Sequence, residues 1–281
     1  MNKLNATVAV GGLLLVVGSG AYARSRPAQP TAADPNVVTI VATEFTFEAP
    51  DEIPAGLTTF KLVNRGQHLH HVQLVKLEDG KTAADYITAL QAHGPPPSWA
   101  REVGGPNAPD PMGGEANATS VLEPGDYLLL CFVDMPDGVP HFVKGMIRPL
   151  RVTGAAAPPA AEPTADVRMR LDDYKFELSG PIAAGTRTIR VENGAAQPHE
   201  VELIRLAPGK TAADLMAWMQ NMQGPPPASA IGGIAGMASG EHAYFTADFT
   251  PGDYVLICFI PDHKDGKPHF MHGMMQTIRV E

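Results

Sequence analysis

One sequence pattern occurs twice in the chain of 281 residues. The stretch VTIVATEFTFEAPDEIPAGLTTFKLVN at 38–64 corresponds to VRMRLDDYKFELSGPIAAGTRTIRVEN at 167–193, and the motif GKTAAD appears at 80–85 and again at 209–214. A repeat on this scale means that one structural unit is built twice in succession. The length is sufficient for two domains that each have a sizeable core.

Both copies predict strands rather than helices. Apolar and polar residues alternate in each, and Pro or Gly turns separate the alternating runs, as is typical of half-buried strands. One short helix per copy is predicted after a threonine N-cap, over 83–92 and 212–222. The Gly-rich segments at 98–118 and 228–240 are predicted to be irregular. These features predict an all-β protein of two tandem Greek-key β-sandwich domains with one loop helix each.

Composition shifts mark the expected boundaries. Lys3, the apolar run at 6–17 and the sequence Ala-Tyr-Ala at 21–23 predict a signal peptide, so the protein is expected to be exported to the periplasm or the extracellular space. An uncleaved signal that tethers the protein to the membrane is the alternative. The predicted segments are a signal over 1–23, a Pro/Ala-rich stalk over 24–35, a first domain over 36–153, an Ala/Pro linker over 154–165 and a second domain over 166–281.

The charge balance argues against one class of partner. The formal net charge is −9, and no basic patch is evident on which a nucleic acid could dock. Charge alone does not identify a partner, although a negative protein suits a cationic redox partner.

The two cysteines of the chain stand at equivalent places in the repeat. Cys131 and Cys258 each follow an apolar strand, and each is followed by a polar turn, a Pro-His pair and a Gly-Met pair. Thiolate, imidazole and thioether on one loop form a soft ligand set, which one further imidazole would complete to the arrangement that suits electron-transfer copper. An exported protein makes a disulfide the alternative, but a disulfide would require the two cores to meet face to face.

The further imidazole is present in both copies. Alignment of the GKTAAD motifs pairs His70 with His199, whereas His68 falls opposite Gln197. Each copy therefore carries His, then Cys, His and Met in the same order. The predicted metal ligands are His70, Cys131, His141 and Met146 in the first domain, and His199, Cys258, His269 and Met274 in the second.

These residues resemble the cupredoxins, the blue copper proteins of the plastocyanin and azurin type, over both units. The resemblance lies in the Asn-x₅-His segment, the P-G-x-Y-x₃-C strand and the Cys-to-Met loop, whose wording VPHFVKGM is similar to the type 1 domain of copper nitrite reductases. It implies one copper per domain, electron transfer, and an exposed loop histidine, His141 or His269, as the electron port. The chain departs from the family after the first histidine, where His71 and Glu200 replace the asparagine that braces the cysteine loop.

The sequence leaves several other functions open. A copper oxidase or nitrite reductase would require a second, catalytic copper, and the resemblance places one of its histidines immediately before the cysteine, where Leu130 and Ile257 stand. An enzyme is therefore not predicted. A copper storage or delivery protein and a metal-free interaction module both remain open. Redox partner proteins of unknown identity are expected for the electron-transfer function.

Overall fold

The chain forms strands along most of its length. A computed structural model describes Met1 and residues 34–91, 97–156 and 160–281. The predicted signal from residue 2 onward, the predicted stalk up to residue 33 and His93 lie outside the described residues. We call 34–156 the first half and 160–281 the second half. Neither helix in these ranges is long and apolar enough to cross a membrane.

The described residues of each half form eight strands. In the first half they are β1 (Asn36–Thr43), β2 (Thr46–Glu48), β3 (Glu52–Asn64), β4 (Gln73–Leu77), β5 (Ala100–Glu102), β6 (Gly114–Leu122), β7 (Gly125–Leu130) and β8 (Ile147–Ala156). In the second half they are β9 (Val167–Asp172), β10 (Lys175–Leu178), β11 (Gly185–Asn193), β12 (His199–Leu206), β13 (Ala228–Met237), β14 (His242–Phe249), β15 (Gly252–Ile257) and β16 (Met275–Val280). The protein is therefore mostly β.

The strand pairing is repeated along with the sequence. In the first half, β3 lies between a parallel β1 and an antiparallel β6, and β7 lies between antiparallel β4 and β8. In the second half, β11 lies between a parallel β9 and an antiparallel β14, and β15 lies between antiparallel β12 and β16. Each half thus has two groups of strands with the same order.

The core of each half lies between its two groups of strands. In the first half, Ile40 and Phe60 from one group and Leu74 and Leu129 from the other belong to a single buried cluster. The alternation of apolar residues along each strand directs one face inward, which is why these side chains meet. Cys131 and Met146 belong to the same cluster, and Cys258 and Met274 belong to the corresponding cluster of the second half.

The two predicted helices are present. Helix α1 spans Ala83–Gln91 and α2 spans Ala212–Asn221. Thr211 caps α2 by accepting a hydrogen bond from the Asp214 N–H, while the Asp214 carboxylate accepts from the Thr211 N–H. The same reciprocal pair forms between Thr82 and Asp85, so the shared GKTAAD motif is a helix start in both halves.

The Gly-rich segments are more regular than the sequence predicted. Residues 228–237 form strand β13, and residues 103–109 lie beside it through the isolated bridges Val103–Met237, Pro106–Ile234 and Pro109–Ile231. The prediction of irregular loops was wrong here, because β13 pairs with β12 of its own half and also bridges to the other half, and neither pairing requires apolar–polar alternation in this Gly-rich sequence. The same bridges bring the two halves into contact.

The two halves share one hydrogen-bonded framework. Residues from Asp34 to Glu281 belong to one compact unit. A second contact joins β6 to β14, where the Asn117 side chain donates to the Thr246 carbonyl at 2.7 Å and accepts from the Thr246 N–H at 2.9 Å. The segment predicted as a linker over 154–165 begins as strand, since β8 continues to Ala156, and Glu162 accepts a hydrogen bond from the Tyr244 hydroxyl at 2.7 Å.

A repeated glycine pair allows the same close backbone approach within each half. The sequences VGGPNA (103–108) and IGGIAG (231–236) correspond, and Gly105 and Gly233 both have positive φ, 120° and 134°. A Cβ on Gly105 would lie 2.1 Å from the Val72 carbonyl oxygen, and one on Gly233 would lie 2.1 Å from the Val201 carbonyl oxygen. Only glycine fits where two backbones approach this closely.

We expect Gly233→Ala to lower the free energy of unfolding by more than about 2 kcal/mol, because the new Cβ overlaps a carbonyl in addition to straining φ. Gly240→Ala is the matched control: Gly240 also has positive φ, at 80°, but a Cβ there meets no atom within 4 Å. Its cost should be about 1 kcal/mol. Denaturant unfolding measures both, and equal losses would contradict the close approach.

Candidate metal centres

The Cys-to-Met loops of the two halves have the same backbone hydrogen bonds. In the first, the Cys131 N–H donates to the Met146 carbonyl at 3.2 Å and the Met146 N–H donates to the His141 carbonyl at 3.0 Å. In the second, Cys258 donates to Met274 at 3.2 Å and Met274 donates to His269 at 3.0 Å. The predicted loop ligands of the two halves are therefore held in equivalent backbone positions.

The loops differ in length without moving their histidines. Nine residues separate Cys131 from His141, and ten separate Cys258 from His269. The His141 N–H donates to the Val133 carbonyl and the His269 N–H donates to the Ile260 carbonyl, both at 2.9 Å. The extra residue lies in the turn between these anchor points, so it lengthens the turn alone.

An asparagine at the end of β3 or β11 positions the first histidine of each set. The Asn64 amide donates to the His68 carbonyl at 2.9 Å and accepts from the Gly66 N–H at 3.0 Å. The Asn193 amide donates to the Gln197 carbonyl at 2.9 Å and accepts from the Ala195 N–H at 3.0 Å. These bonds fold the connection that carries His70 or His199 back toward the cysteine loop.

Two histidines and one cysteine converge in each half. His70, Cys131 and His141 form one group and His199, Cys258 and His269 form the other, with the ligand atoms of each group within 4.8 Å of one another. The Cys131 sulfur lies 3.4 Å from His141 Nδ1, and the Cys258 sulfur lies 3.4 Å from His269 Nδ1 and 3.9 Å from His199 Nδ1. All six residues are fully buried.

These spacings fit a metal ion. For metal–ligand bonds of about 2.0 to 2.3 Å, three donors in a trigonal plane lie about 3.5 to 3.8 Å apart. His70 Nδ1 and His141 Nδ1 are 3.1 Å apart, so both rings direct the same nitrogen toward the shared space. The Nε2 atoms of His70, His141 and His269 are buried without a hydrogen-bond partner. Two imidazoles and a thiol with converging donor atoms are the ligand types that copper takes in electron-transfer sites.

Met146 and Met274 are fully buried and adjoin the two groups through the loop bonds described above. Both cysteines are free thiols, so the alternative of a disulfide between them does not apply. His68 lies outside the groups, and its Nδ1 is 2.8 Å from a Glu44 carboxylate oxygen. A third group, made of Asp262, Asp265 and His272, lies on the second loop.

The predicted exposure of the loop histidines was wrong. His141 and His269 were predicted to be exposed, whereas both are 0% exposed. The Phe45 ring lies 5.3 Å from the His141 ring and the Tyr174 ring lies 5.6 Å from the His269 ring, centroid to centroid. Phe45 and Tyr174 both have positive φ and lie in the tight turns that follow β1 and β9. An aromatic side chain from a distant turn therefore covers each loop histidine.

Burial keeps every ligand neutral before a metal binds. It lowers the pKa of His70 to about 4, with the neighbouring His141 adding to the effect, and lowers the pKa of His269 to about 4, with a contribution from His199. Burial raises the pKa of the Cys131 thiol to about 12 and raises the pKa of the Cys258 thiol as well. Imidazoles ready to coordinate thus stand beside a thiol that has to lose its proton.

His71 and Glu200, which depart from the family pattern in the sequence, have a clear place in the structure. His71 Nε2 accepts the Phe132 N–H at 2.9 Å, and a Glu200 carboxylate oxygen accepts the Phe259 N–H at 2.9 Å. Phe132 and Phe259 directly follow the two cysteines. Each side chain therefore braces the cysteine loop of its own half. No sequence signal indicated their shared neighbour, Asn107.

The two centres differ in the carboxylates around them. His199 Nε2 lies 3.0 Å from an Asp173 oxygen, and His269 Nε2 lies 3.8 Å from an Asp262 oxygen. In the first half Glu44 occupies the position of Asp173, but its carboxylate contacts His68 and the Gln67 N–H instead. Among the described residues, only the ligand imidazoles of the second centre contact a carboxylate.

No protein-family model matches the chain, and no curated protein matches it. Among solved structures it is similar to auracyanin A, a blue copper protein from Chloroflexus aurantiacus, with 20% identity over 41% of this chain and 99% of that one, at a TM-score of 0.27. A multicopper oxidase matches at 13% identity over 87% of this chain and 88% of its own, at a TM-score of 0.25.

A copper-containing nitrite reductase from Thermus scotoductus SA-01 matches at 10% identity over 89% of this chain and 62% of its own, at a TM-score of 0.24. All three of these structures are of copper proteins. TM-scores of this size do not support a function, so the function is argued from the ligand groups of the chain itself.

We expect metal binding to release about one proton per site at neutral pH, because the thiol is protonated and the imidazoles are neutral. The apparent Cu(I) affinity should then rise about tenfold per pH unit between pH 6 and 8. The measurement uses Cys258→Ser, which leaves only the first site intact. The carboxylates beside the second site then do not affect the measured affinity. Competition with a chromophoric Cu(I) chelator reports the affinity. A value independent of pH would mean that Cys131 is already a thiolate.

Proposed function

We propose that the protein is an exported electron-transfer protein that holds one type 1-like copper in each half. The observation that carries this proposal is the convergence, twice, of two imidazoles and one thiol whose residues are fully buried. We further propose that each half is a Greek-key β-sandwich domain of the cupredoxin type. The repeated strand pairing supports that assignment.

The residues of the chain would hold the metal as follows. In each half two histidines and the cysteine bind copper, and Met146 or Met274 is the weak fourth ligand. The bound metal supplies one-electron chemistry. Rigid loop hydrogen bonds keep the ligands in place in both oxidation states, and burial excludes water from them, so that little rearrangement accompanies a change of charge.

Electrons enter or leave through the aromatic covers in this proposal. Phe45 and Tyr174 contact the buried loop histidines and are themselves partly exposed. A redox partner protein would therefore dock over these rings. The net charge of −9 favours a cationic partner over a nucleic acid. Export to the periplasm or extracellular space, with or without a tether, belongs to the same proposal.

Copper oxidase or nitrite reductase activity has less support. Leu130 and Ile257 directly precede the cysteines, where a ligand to a catalytic copper would stand, and both are 0% exposed. Leu130 packs with Val75 and Tyr86 in an apolar cluster. Buried apolar side chains at these two positions do not support a catalytic copper there. The visible absorption of the oxidised, copper-loaded protein distinguishes an electron carrier from a copper storage protein.

The copper-loaded, oxidised protein is expected to show an intense visible absorption from thiolate-to-copper charge transfer. Cys131→Ser and Cys258→Ser should each remove about half of it, because each variant deletes one thiolate ligand. Absorption spectra together with copper analysis test this. Bound Cu(I) without colour on oxidation would favour storage or delivery, and a protein that binds no copper would leave an interaction module.

We expect Asp173→Asn to raise the reduction potential of the second copper by about 60 mV, since losing a negative charge beside His199 disfavours the oxidised metal by about tenfold. The first copper should not change. Glu44→Gln is the matched control, because Glu44 occupies the equivalent position without contacting a ligand. Redox titration of single-site variants followed by their absorption gives the potentials. Equal shifts from both substitutions would contradict the role of the Asp173 contact.

A further inference from the structure

A continuous chain of hydrogen bonds joins the two cysteine loops across the contact between the halves. We infer that Asn107 couples the two metal sites through this chain, so that copper in one site strengthens binding in the other. The inference rests on the proposed function. Asn107 is a positioning residue in it, since it acts through His71 and Glu200 and touches neither ligand group.

The chain is complete from one cysteine loop to the other. The Phe132 N–H donates to His71 Nε2 at 2.9 Å, and His71 Nδ1 lies 3.3 Å from Asn107 Oδ1. Asn107 Nδ2 donates to one Glu200 oxygen at 3.2 Å, and the other Glu200 oxygen accepts the Phe259 N–H at 2.9 Å. Four hydrogen bonds thus separate the residue after Cys131 from the residue after Cys258.

The donors and acceptors agree at every step. His71 accepts at Nε2, so its proton is on Nδ1 and donates to the Asn107 oxygen. That oxygen also accepts the Ala108 N–H at 3.0 Å, which leaves the amide nitrogen to donate to Glu200 and to the Val201 carbonyl at 3.3 Å. The amide of Asn107 therefore has one orientation only.

Burial makes this connection rigid. His71, Asn107 and Glu200 are 8%, 3% and 5% exposed. An unpaired polar atom in such a place is costly, so the three side chains keep their bonds or move together. The backbone of Asn107 is also fixed, because its N–H donates to the Gly233 carbonyl at 3.1 Å.

The repeat shows that Asn107 is an addition to the shared framework. It stands in VGGPNA where the second copy has Ala235 in IGGIAG. Each half has its own brace for its own cysteine loop, His71 in one and Glu200 in the other. A single asparagine from the first half contacts both braces. It is therefore the residue that makes one network of two otherwise separate sites.

The two binding sites are coupled because a metal ion bound at one site orders the loops of both. A metal ion fixes the cysteine loop that it binds, and the braces then hold Asn107 and the opposite loop in the binding geometry. The second copper is bound with less loss of conformational freedom. Linkage requires that each site strengthens the other by the same factor, for which we expect about five- to tenfold.

Cu(I) competition titrations measure the factor directly. It equals the overall constant for binding two copper ions to the wild-type protein, divided by the product of the single-site constants from Cys131→Ser and Cys258→Ser. We expect about 5 to 10 in the wild type and about 1 when the same three proteins carry Asn107→Ala. Asn117→Ala is the matched control, because the Asn117 side chain also bonds across the halves but to Thr246 on β14 rather than to a brace; it should retain the wild-type factor.

A structural readout accompanies the titration. In ¹⁵N-labelled Cys131→Ser, only the second site binds Cu(I), and the Phe132 amide resonance should still shift on addition of copper. The shift should disappear with Asn107→Ala. Glu200→Gln provides a second variant if Asn107→Ala does not fold, because a glutamine has one acceptor oxygen and cannot serve both Asn107 and Phe259.

The outcomes separate this inference from the proposed function. A wild-type factor of 1 or below, with copper bound at both sites, would overturn the coupling and leave the electron-transfer proposal in place. A factor that survives Asn107→Ala would overturn the role of Asn107. A wild-type protein that binds no Cu(I) would overturn both.

Discussion

The hydrogen bond to the backbone N–H that follows each cysteine is the interaction on which both sites depend. It fixes the loop at the point where the thiol enters the pocket, and the remaining loop bonds then place the histidine and methionine. His71 and Glu200 make this bond with different chemistry, one through a ring nitrogen and the other through a carboxylate. The geometry of the brace is therefore retained although the residue type is not, because only an acceptor at that position is required.

The two centres are held by the same set of contacts but differ in the charged groups beside their histidines. Loop hydrogen bonds, asparagine anchors and aromatic covers occur in both halves, whereas a carboxylate contacts a ligand imidazole only in the second among the described residues. A repeated fold thus supplies two sites of the same shape, and single side chains around them set their charge. In the proposed function, this difference in charge would give the two copper ions different reduction potentials.

The contact between the halves is built into the same structure. Gly105 and Gly233 let each Gly-rich segment lie close to the backbone of its own half, at Val72 and Val201. The Asn107 N–H donates across the contact to the Gly233 carbonyl, and the Asn107 side chain lies between the two braces. Buried acids gather there as well: burial raises the pKa of Glu200 to about 7 and holds that of Glu202 well above its usual range. Polar groups are costly in such a place unless they are bonded, which explains why the asparagine uses both ends of its amide.

The sequence alone determined the repeat, the β-rich character, the two capped helices and the candidate ligands, because each depends on local pattern or on the order of chemically distinct residues. It could not predict the strand at 228–237, the burial of His141 and His269 or the partner of His71 and Glu200. Those features come from pairing between residues far apart in the chain. Asn107 lies 36 residues from His71 and 93 from Glu200. Only the tertiary structure brings such residues together, since no local periodicity records which distant backbone will lie alongside.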